Sequence, residues 1–232
     1  MRDVTRRAPA PRWRRSVPPG FIRPCEPALV AYPPAGPGWL HEIKHDGFRI
    51  LARKQGERDL IWSRRGADFT DRLSRIADAV RGLPAAEALI DGEAVVFQDD
   101  GRSDFHALLT KRGWLIASFV AFDLLRLGGD DQRQRPLEKR REALARLIAK
   151  RRGDGIVFSE ALVDEGAAVF AKVCELGLEG IVSKRAGSFY RSGPSRNWLK
   201  TKNPDFVRNN PCLATARSAA KLVCVAPPRS GH

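Results

Sequence analysis

The stretch His41-Glu42-Ile43-Lys44-His45-Asp46-Gly47-Phe48-Arg49 sets one lysine two residues before an Asp-Gly pair and five before an arginine. Residues 39–44 predict a strand, Asp46-Gly47 a tight turn and residues 48–54 a second strand, with Gly56 turning the chain into a third over residues 59–63. Short strands joined by glycine turns open an antiparallel sheet, and Lys44 falls at a strand end. Such a position exposes a side chain in a cleft while the sheet holds its backbone rigid. The spacing K-x-D-G-x-R arises by chance in roughly one chain in several hundred of this size. Its meaning therefore depends on what accompanies it.

Downstream, helical and strand periods alternate. A helix is predicted from about Asp71, with Leu73, Ile76, Ala77, Val80 and Leu83 at helical spacing and Pro84 beyond its end. Residues 88–97 read as a strand carrying Asp91-Gly92-Glu93, Ser103 caps a short helix reaching Leu109, and residues 118–125 read as a buried strand bearing Asp123. Pro136 opens a long helix with an apolar face of Leu137, Leu144, Leu147 and Ile148, ended by Lys150, Arg151, Arg152 and Gly153. Its many cations read as a solvated face. Asp164 caps a further helix to about Leu176, with Val169, Phe170 and Val173 inward and Gly177 as the stop. Residues 179–184 and 197–202 supply the closing strands. Upstream, Pro24, Pro27, Pro33, Pro34 and Pro37 with Gly36 and Gly38 predict an extended segment laid over the domain surface.

With 232 residues, 43% of them hydrophobic, the chain can bury a real core. Its longest apolar runs are far too short to span a bilayer, so no membrane partner is expected. The formal net charge of +14 is unevenly placed: residues 1–38 hold seven arginines against Asp3 and Glu26, and residues 203–232 hold four cations against Asp205. A balance of this sign points first to nucleic acid, and less often to anionic lipid or an acidic partner. Cys25, Cys174, Cys212 and Cys224 form no C-x-x-C pair and have no histidine at zinc-finger spacing. Neither a metal site nor a disulfide framework is indicated, and a reducing cytosol is the simplest setting.

Strand residues in a core should be apolar, so the exceptions carry information. They are Lys44, Asp46, Glu93, Asp123, Glu179, Lys184, Lys200 and Lys202. Taken singly, each reads as an outward-facing residue on an alternating strand. Together, on successive strands and with mixed signs, they read as a shared polar cleft. Clustered lysines would hold phosphates, and carboxylates among them would hold a divalent cation through oxygen. A lysine there is also a potential nucleophile. Its reference pKa of about 10.4 keeps it protonated at neutral pH, so neighbouring cations and a metal must tune it down before it can attack. Lys184, Lys200 and Lys202 are expected to converge on Lys44 and supply that repulsion. No G-x-x-x-x-G-K-[ST] is present, so a Walker-type phosphate loop is not the device.

Six segments in order resemble the adenylation (nucleotidyltransferase) domain of ATP-dependent DNA ligases, most similar to the bacterial end-joining type. They are Lys44-His45-Asp46-Gly47-Phe48-Arg49, Ser63-Arg64-Arg65-Gly66, Asp91-Gly92-Glu93, Phe122-Asp123-Leu124-Leu125, Glu179-Gly180-Ile181-Val182-Ser183-Lys184 and Trp198-Leu199-Lys200-Thr201-Lys202. The resemblance implies an α+β, ATP-grasp-like nucleotidyltransferase fold of mainly antiparallel sheets flanked by helices, with the nucleotide cleft between them. It implies that Lys44 attacks the α-phosphorus of ATP to form lysine-AMP, and that AMP then passes to the 5′-phosphate of a nick in DNA repair or recombination. Glu42 would meet the adenine edge and Phe122 its face. Arg49 and Arg64 would touch ribose or phosphate, Lys184 would join the ATP-binding set, and Lys200 and Lys202 would hold the α-phosphate. Glu93 and Glu179 would bind Mg2+ or Mn2+.

The resemblance also sets expectations for organisation and partners. Residues 1–20 are expected as a disordered basic arm, residues 21–204 as the adenylation domain, and residues 205–232 as a short flexible tail without an oligonucleotide-binding (OB) fold. Expected partners are nicked duplex DNA and an OB-fold or end-joining protein in trans, in the bacterial cytoplasm at the nucleoid. Two alternatives share the same cleft. One is an RNA ligase or capping-type nucleotidyltransferase; the other is a catalytically idle nick-binding remnant.

Overall fold

The structure is a computed structural model and describes residues 18–150, 154–162 and 164–208. The sequence-predicted basic arm up to residue 17, the tail from residue 209, and Arg151, Arg152 and Gly153 lie outside the described residues. The elements in chain order are β1 (Cys25–Leu29), β2 (Trp39–Ile43), β3 (Phe48–Gln55), β4 (Arg58–Ser63), α1 (Ser74–Arg81), β5 (Glu87–Val95), α2 (Phe105–Leu108), α3 (Lys111–Ile116), β6 (Ser118–Leu127), β7 (Asp130–Asp131), α4 (Leu137–Ala149), β8 (Ile156–Phe158), α5 (Gly166–Glu175), β9 (Gly180–Arg185) and β10 (Gly193–Lys202).

These strands make two sheets, and the Asp46-Gly47 corner is where the chain changes from one to the other. β2 pairs with β9 in a four-stranded sheet ordered β1-β10-β9-β2, whereas β3 pairs with β4 and β5 in a six-stranded sheet ordered β4-β3-β5-β6-β7, with β8 also on β6. The expected hairpin between the strands flanking Lys44 is therefore absent, although β3 and β4 do pair antiparallel as predicted. Close packing at the corner explains its glycine: a Cβ on Gly47 would collide with the backbone oxygen of Ala94 on β5. The proline-rich segment is likewise more than a surface layer, because β1 pairs in parallel with β10 and bulges between Pro27 and Ala28.

Period-two alternation divides the buried side chains between two cores. Ile50 and Ala52 of β3 and Ile90 of β5 face helices α1 and α4, while Leu51 and Leu89 face the other sheet. In β6 the pairing with β5 skips Leu125 and Phe122, and both of these extra residues enter the layer between the sheets. Bulges re-aim side chains in this way. Helix α5 covers the outer face of the four-stranded sheet, its Val169 and Val173 clustering with Ile181 of β9.

Caps depart slightly from expectation. Asp104 rather than Ser103 caps α2, accepting from the Ala107 amide at 2.8 Å, because only the residue three before that amide can reach it. Glu165 stands at the N-cap of α5, and Asp164 accepts only from the adjacent Glu165 amide. Helix α3 starts at Thr110, whose hydroxyl accepts from Gly113.

Asp91 and Asp123 stand directly opposite one another across β5 and β6, both fully buried. Like charges in that arrangement repel. Each is neutralised by its own two-pronged guanidinium: Arg49 reaches Asp91 at 2.6 and 2.7 Å, and Arg140 reaches Asp123 at 2.8 Å twice. Tyr190 donates to Asp91 and accepts from the Cys25 amide, tying β1 to the pair. Arg140 also donates to the carbonyls of Arg135 and Ser188. The cations of α4 are thus not all solvated, since Arg140 and Arg141 are buried. Replacing Arg140 by Met should destabilise the protein by about 3–5 kcal/mol in urea denaturation, because it strands a buried carboxylate. Adding Asp123→Leu should recover most of that loss, and a double variant no more stable than the single one would contradict this reading.

Candidate active site

Strand register assembles the site. Across the four-stranded sheet Glu42 stands beside Val182 and Val182 beside Lys200, while Lys184 stands between Leu40 and Trp198. Period-two geometry puts Glu42, Lys184, Trp198 and Lys200 on one face. Lys44, just past β2, extends that face with its amide bound to the Gly180 carbonyl at 2.9 Å. From the opposite side come Arg49, Glu93 and Phe122, with Arg64 after β4. All of them line a single cleft of about 220 Å³.

At one end of the cleft the cations gather. Lys44 Nζ donates to Glu179 Oε2 at 2.5 Å, and Lys202 Nζ lies 3.5 Å from Glu179 Oε1. Burial and then the charges of Lys44, Lys202 and Arg64 push the Lys200 amine below its ordinary range. Burial raises the Glu93 carboxyl from its ordinary 4.5 to about 7; Lys44 and Arg49 oppose the rise, and Glu179 and Asp46 add to it. His45, beside Lys44 and edge-on to Phe97, is pushed down to about 4 by burial and by Lys44. It therefore adds no positive charge at neutral pH.

The other end is built on Glu42. This carboxylate is 2% exposed and accepts from Arg141 at 2.6 Å, from Lys184 at 2.7 Å and from the Ser159 hydroxyl at 2.8 Å. Of the three lysines expected to converge on Lys44, two do so. Lys184 turns instead to Glu42 and lies over the Phe122 and Trp198 rings, at 4.5 and 4.3 Å from their centroids. Register is the cause, because Gly180 and Ile181, not Lys184, are the β9 residues beside Lys44 and Ile43. Arg49 lines the cleft but is committed to Asp91, and its guanidinium covers Phe122 at 4.4 Å. Arg64 pairs with Glu26 at 3.3 Å.

Three contributors went unread in the sequence. Arg141 and Ser159 fix Glu42 from outside the strand pattern. Arg208 grips both oxygens of Asp46 at 2.5 and 2.7 Å and stacks on Phe105, which docks the chain beyond β10 against the Lys44 corner. The spacing of Arg141 within the apolar stripe of α4 was an available signal; nothing local marked the other two.

Residues 34–202 match the family described as ATP dependent DNA ligase domain. The chain is 39% identical over 188 residues to the multifunctional non-homologous end joining protein LigD of Pseudomonas aeruginosa, a match covering 79% of this chain and 22% of that protein. It is 30% identical over 178 residues to a DNA ligase of Thermococcus onnurineus, covering 69% and 31%. Among solved structures it resembles the ligase domain of M. tuberculosis LigD with a TM-score of 0.68 at 28% identity, covering 78% of this chain and 60% of that one. The Chlorella virus DNA ligase-adenylate shares the fold, with a TM-score of 0.55 at 16% identity, covering 78% and 69%. The chain thus spans less than half the length of these curated relatives.

A carboxyl whose pKa is raised in the fold binds its proton more tightly there than in the unfolded chain. Stability is therefore lost as pH climbs from about 4.5 to about 7, and the deficit persists above that range. Glu93→Gln, which cannot ionise, should stabilise the ligand-free protein by about 2–3 kcal/mol near pH 8 and by close to nothing near pH 4. Urea denaturation at both pH values checks this, and an equal gain at each would contradict it.

Proposed function

Because the chain belongs to the ATP-dependent DNA ligase domain family, we propose that it is the adenylating unit of a DNA-sealing enzyme and that Lys44 is its nucleophile. The observation that carries this reading is a single cleft with two unlike ends, Lys44 standing among the cations of one of them. A buried acceptor, Glu42, stands at one end, and the cations Lys200 and Arg64 stand with Lys44 at the other, with Lys202 near them on Glu179 outside the cleft lining. A purine at the first and phosphates at the second would bring the α-phosphorus to the nitrogen of Lys44.

In the first step the unprotonated Nζ attacks that phosphorus. A P–N bond forms, the P–O bond to pyrophosphate breaks, and the lysine proton is lost to solvent or to a neighbouring base. Negative charge builds on the phosphoryl oxygens, and fixed cations lower such a barrier. In the second step an oxygen of the 5′-phosphate at a nick takes the AMP and the P–N bond breaks. In the third the 3′-hydroxyl attacks that 5′-phosphorus, the phosphodiester forms and AMP leaves. Glu179, bonded to Lys44, and Glu93, on which the Lys44 charge acts, are hard oxygen donors, and they fit Mg2+ or Mn2+ held jointly with substrate phosphates. Among the described residues no group of three or more His, Cys, Asp or Glu forms a metal cluster. When bound, such a cation would screen the phosphate charge.

The net charge of +14 supports a duplex DNA partner with salt-dependent affinity. Among the described residues no helix is long and apolar enough to cross a membrane. An OB-fold or end-joining protein acting in trans is a further partner that this reading accommodates.

Incubation with α-labelled ATP and magnesium should leave a label on the denatured protein that is lost in Lys44→Ala, with GTP giving far less. Nicked duplex DNA should then discharge it. A chain that takes no label would overturn the adenylation reading, and discharge by nicked RNA alone would overturn the DNA assignment.

A further inference from the structure

Glu42 has four lone-pair positions as a carboxylate. Among the described residues, three are taken: Oε1 by Arg141 Nη1 and by Lys184 Nζ, and Oε2 by Ser159 Oγ. One position remains, on Oε2. Arg141 is itself held tightly. Its Nη2 donates to the Ser159 carbonyl at 2.7 Å, and its guanidinium lies over the Phe158 ring at 4.8 Å. The same arginine therefore sets the carboxylate directly and also positions the backbone that carries its other donor, Ser159. Neither Arg141 nor Ser159 lines the cleft.

We propose that Arg141 and Ser159 are positioning residues that make the cleft select a 6-amino over a 6-oxo purine, by holding Glu42 as an acceptor with one open position. The inference rests on the nucleotide reading above and extends it to base choice. Arg141 and Lys184 carry only donors, and with Ser159 they hold Glu42 by its oxygens, so what the carboxylate turns toward a ligand is an acceptor. A base edge meeting Glu42 must then bring an N–H. The exocyclic amine of adenine does so. Guanine seated in the same pose brings O6, a lone pair, to a negative oxygen in a desolvated site, where such a mismatch is costly, and it could offer its N1–H only by shifting within the cleft. Ser159 narrows the choice further by occupying the second position on Oε2, which leaves room for a single N–H. Without Arg141, Glu42 keeps only Lys184 and the hydroxyl. It is then free to rotate, and the direction of its open position is no longer fixed.

A purely structural role for these residues would weaken all nucleotides together, whereas a positioning role changes their ratio. The test is therefore the ratio of dissociation constants for α,β-methylene ATP and α,β-methylene GTP, measured by calorimetry on the full chain. The bridging carbon blocks departure of pyrophosphate, so base selection is read without the covalent step. The unaltered chain should favour the adenine analogue strongly. Arg141→Met should shrink the preference by about tenfold or more and Ser159→Ala by about threefold, while Arg141→Lys should stay within about threefold of the unaltered chain. Ser159→Ala keeps the test sound if Arg141→Met fails to fold. Ratios unchanged within about twofold in folded Arg141→Met and Ser159→Ala would overturn the proposal. Tight, selective binding with no labelling by ATP would overturn the lysine chemistry and leave this inference standing. Failure of the unaltered chain to bind either analogue would overturn both.

Discussion

The carboxylate of Glu42 is the point at which the two sheets and a helix meet. It comes from β2; its partners come from β9 (Lys184), α4 (Arg141) and the segment after β8 (Ser159). Lys184 and Arg141 also share the Phe122 carbonyl on β6, at 3.2 and 3.4 Å. Two cations and one carboxylate, almost entirely out of water, are stable only because each charge has a partner and the remaining protons find carbonyls. That requirement fixes the spacing of the sheets at one end of the cleft. It leaves the other end open for Lys44 and its neighbours.

The facing aspartates do comparable work at the cleft wall. Asp91 and Asp123 could not share a ladder position uncompensated, and the arginines that compensate them determine what the cleft offers. Arg49 is drawn against Phe122, and Arg140 anchors α4 so that the next residue, Arg141, reaches Glu42. Packing and recognition are thus coupled through adjacent residues on one helix. The Lys44 corner is held from a third side by Arg208 on Asp46, so chain leaving the last strand is tied to the residue pair that positions the candidate nucleophile.

Much of this was legible in the sequence because charged residues on apolar strands stand out. Lys44, Glu93 and Lys200 were marked by strand period and by ordered motifs, Glu42 by the family resemblance alone, and the fold brings all four to one cleft. Lys184 was marked too, but its direction depended on which residue it faces across the sheet, and register is a long-range property. The Asp46-Gly47 corner read as a hairpin since a local glycine signal cannot distinguish a turn within a sheet from a change of sheet. Arg140 and Arg141 were readable in principle. They fall three and four residues after Leu137 and likewise before Leu144, inside the buried stripe of α4. A helix rich in cations invites the solvated reading, and only strict attention to spacing separates these two from Lys139 or Arg146. Ser159 and Arg208 carry no local pattern at all, since their partners lie 117 and 162 residues away.

The central claim is that Lys44 itself, among several lysines crowded at one end of the cleft, becomes bonded to AMP. Peptide mapping by mass spectrometry after incubation with ATP and magnesium tests it most directly, since the adduct can be assigned to one side chain and its acid lability compared with that of a P–N bond. The account predicts a single acid-labile AMP on the peptide that contains Lys44. An AMP carried by Lys200 or Lys202 instead would contradict it.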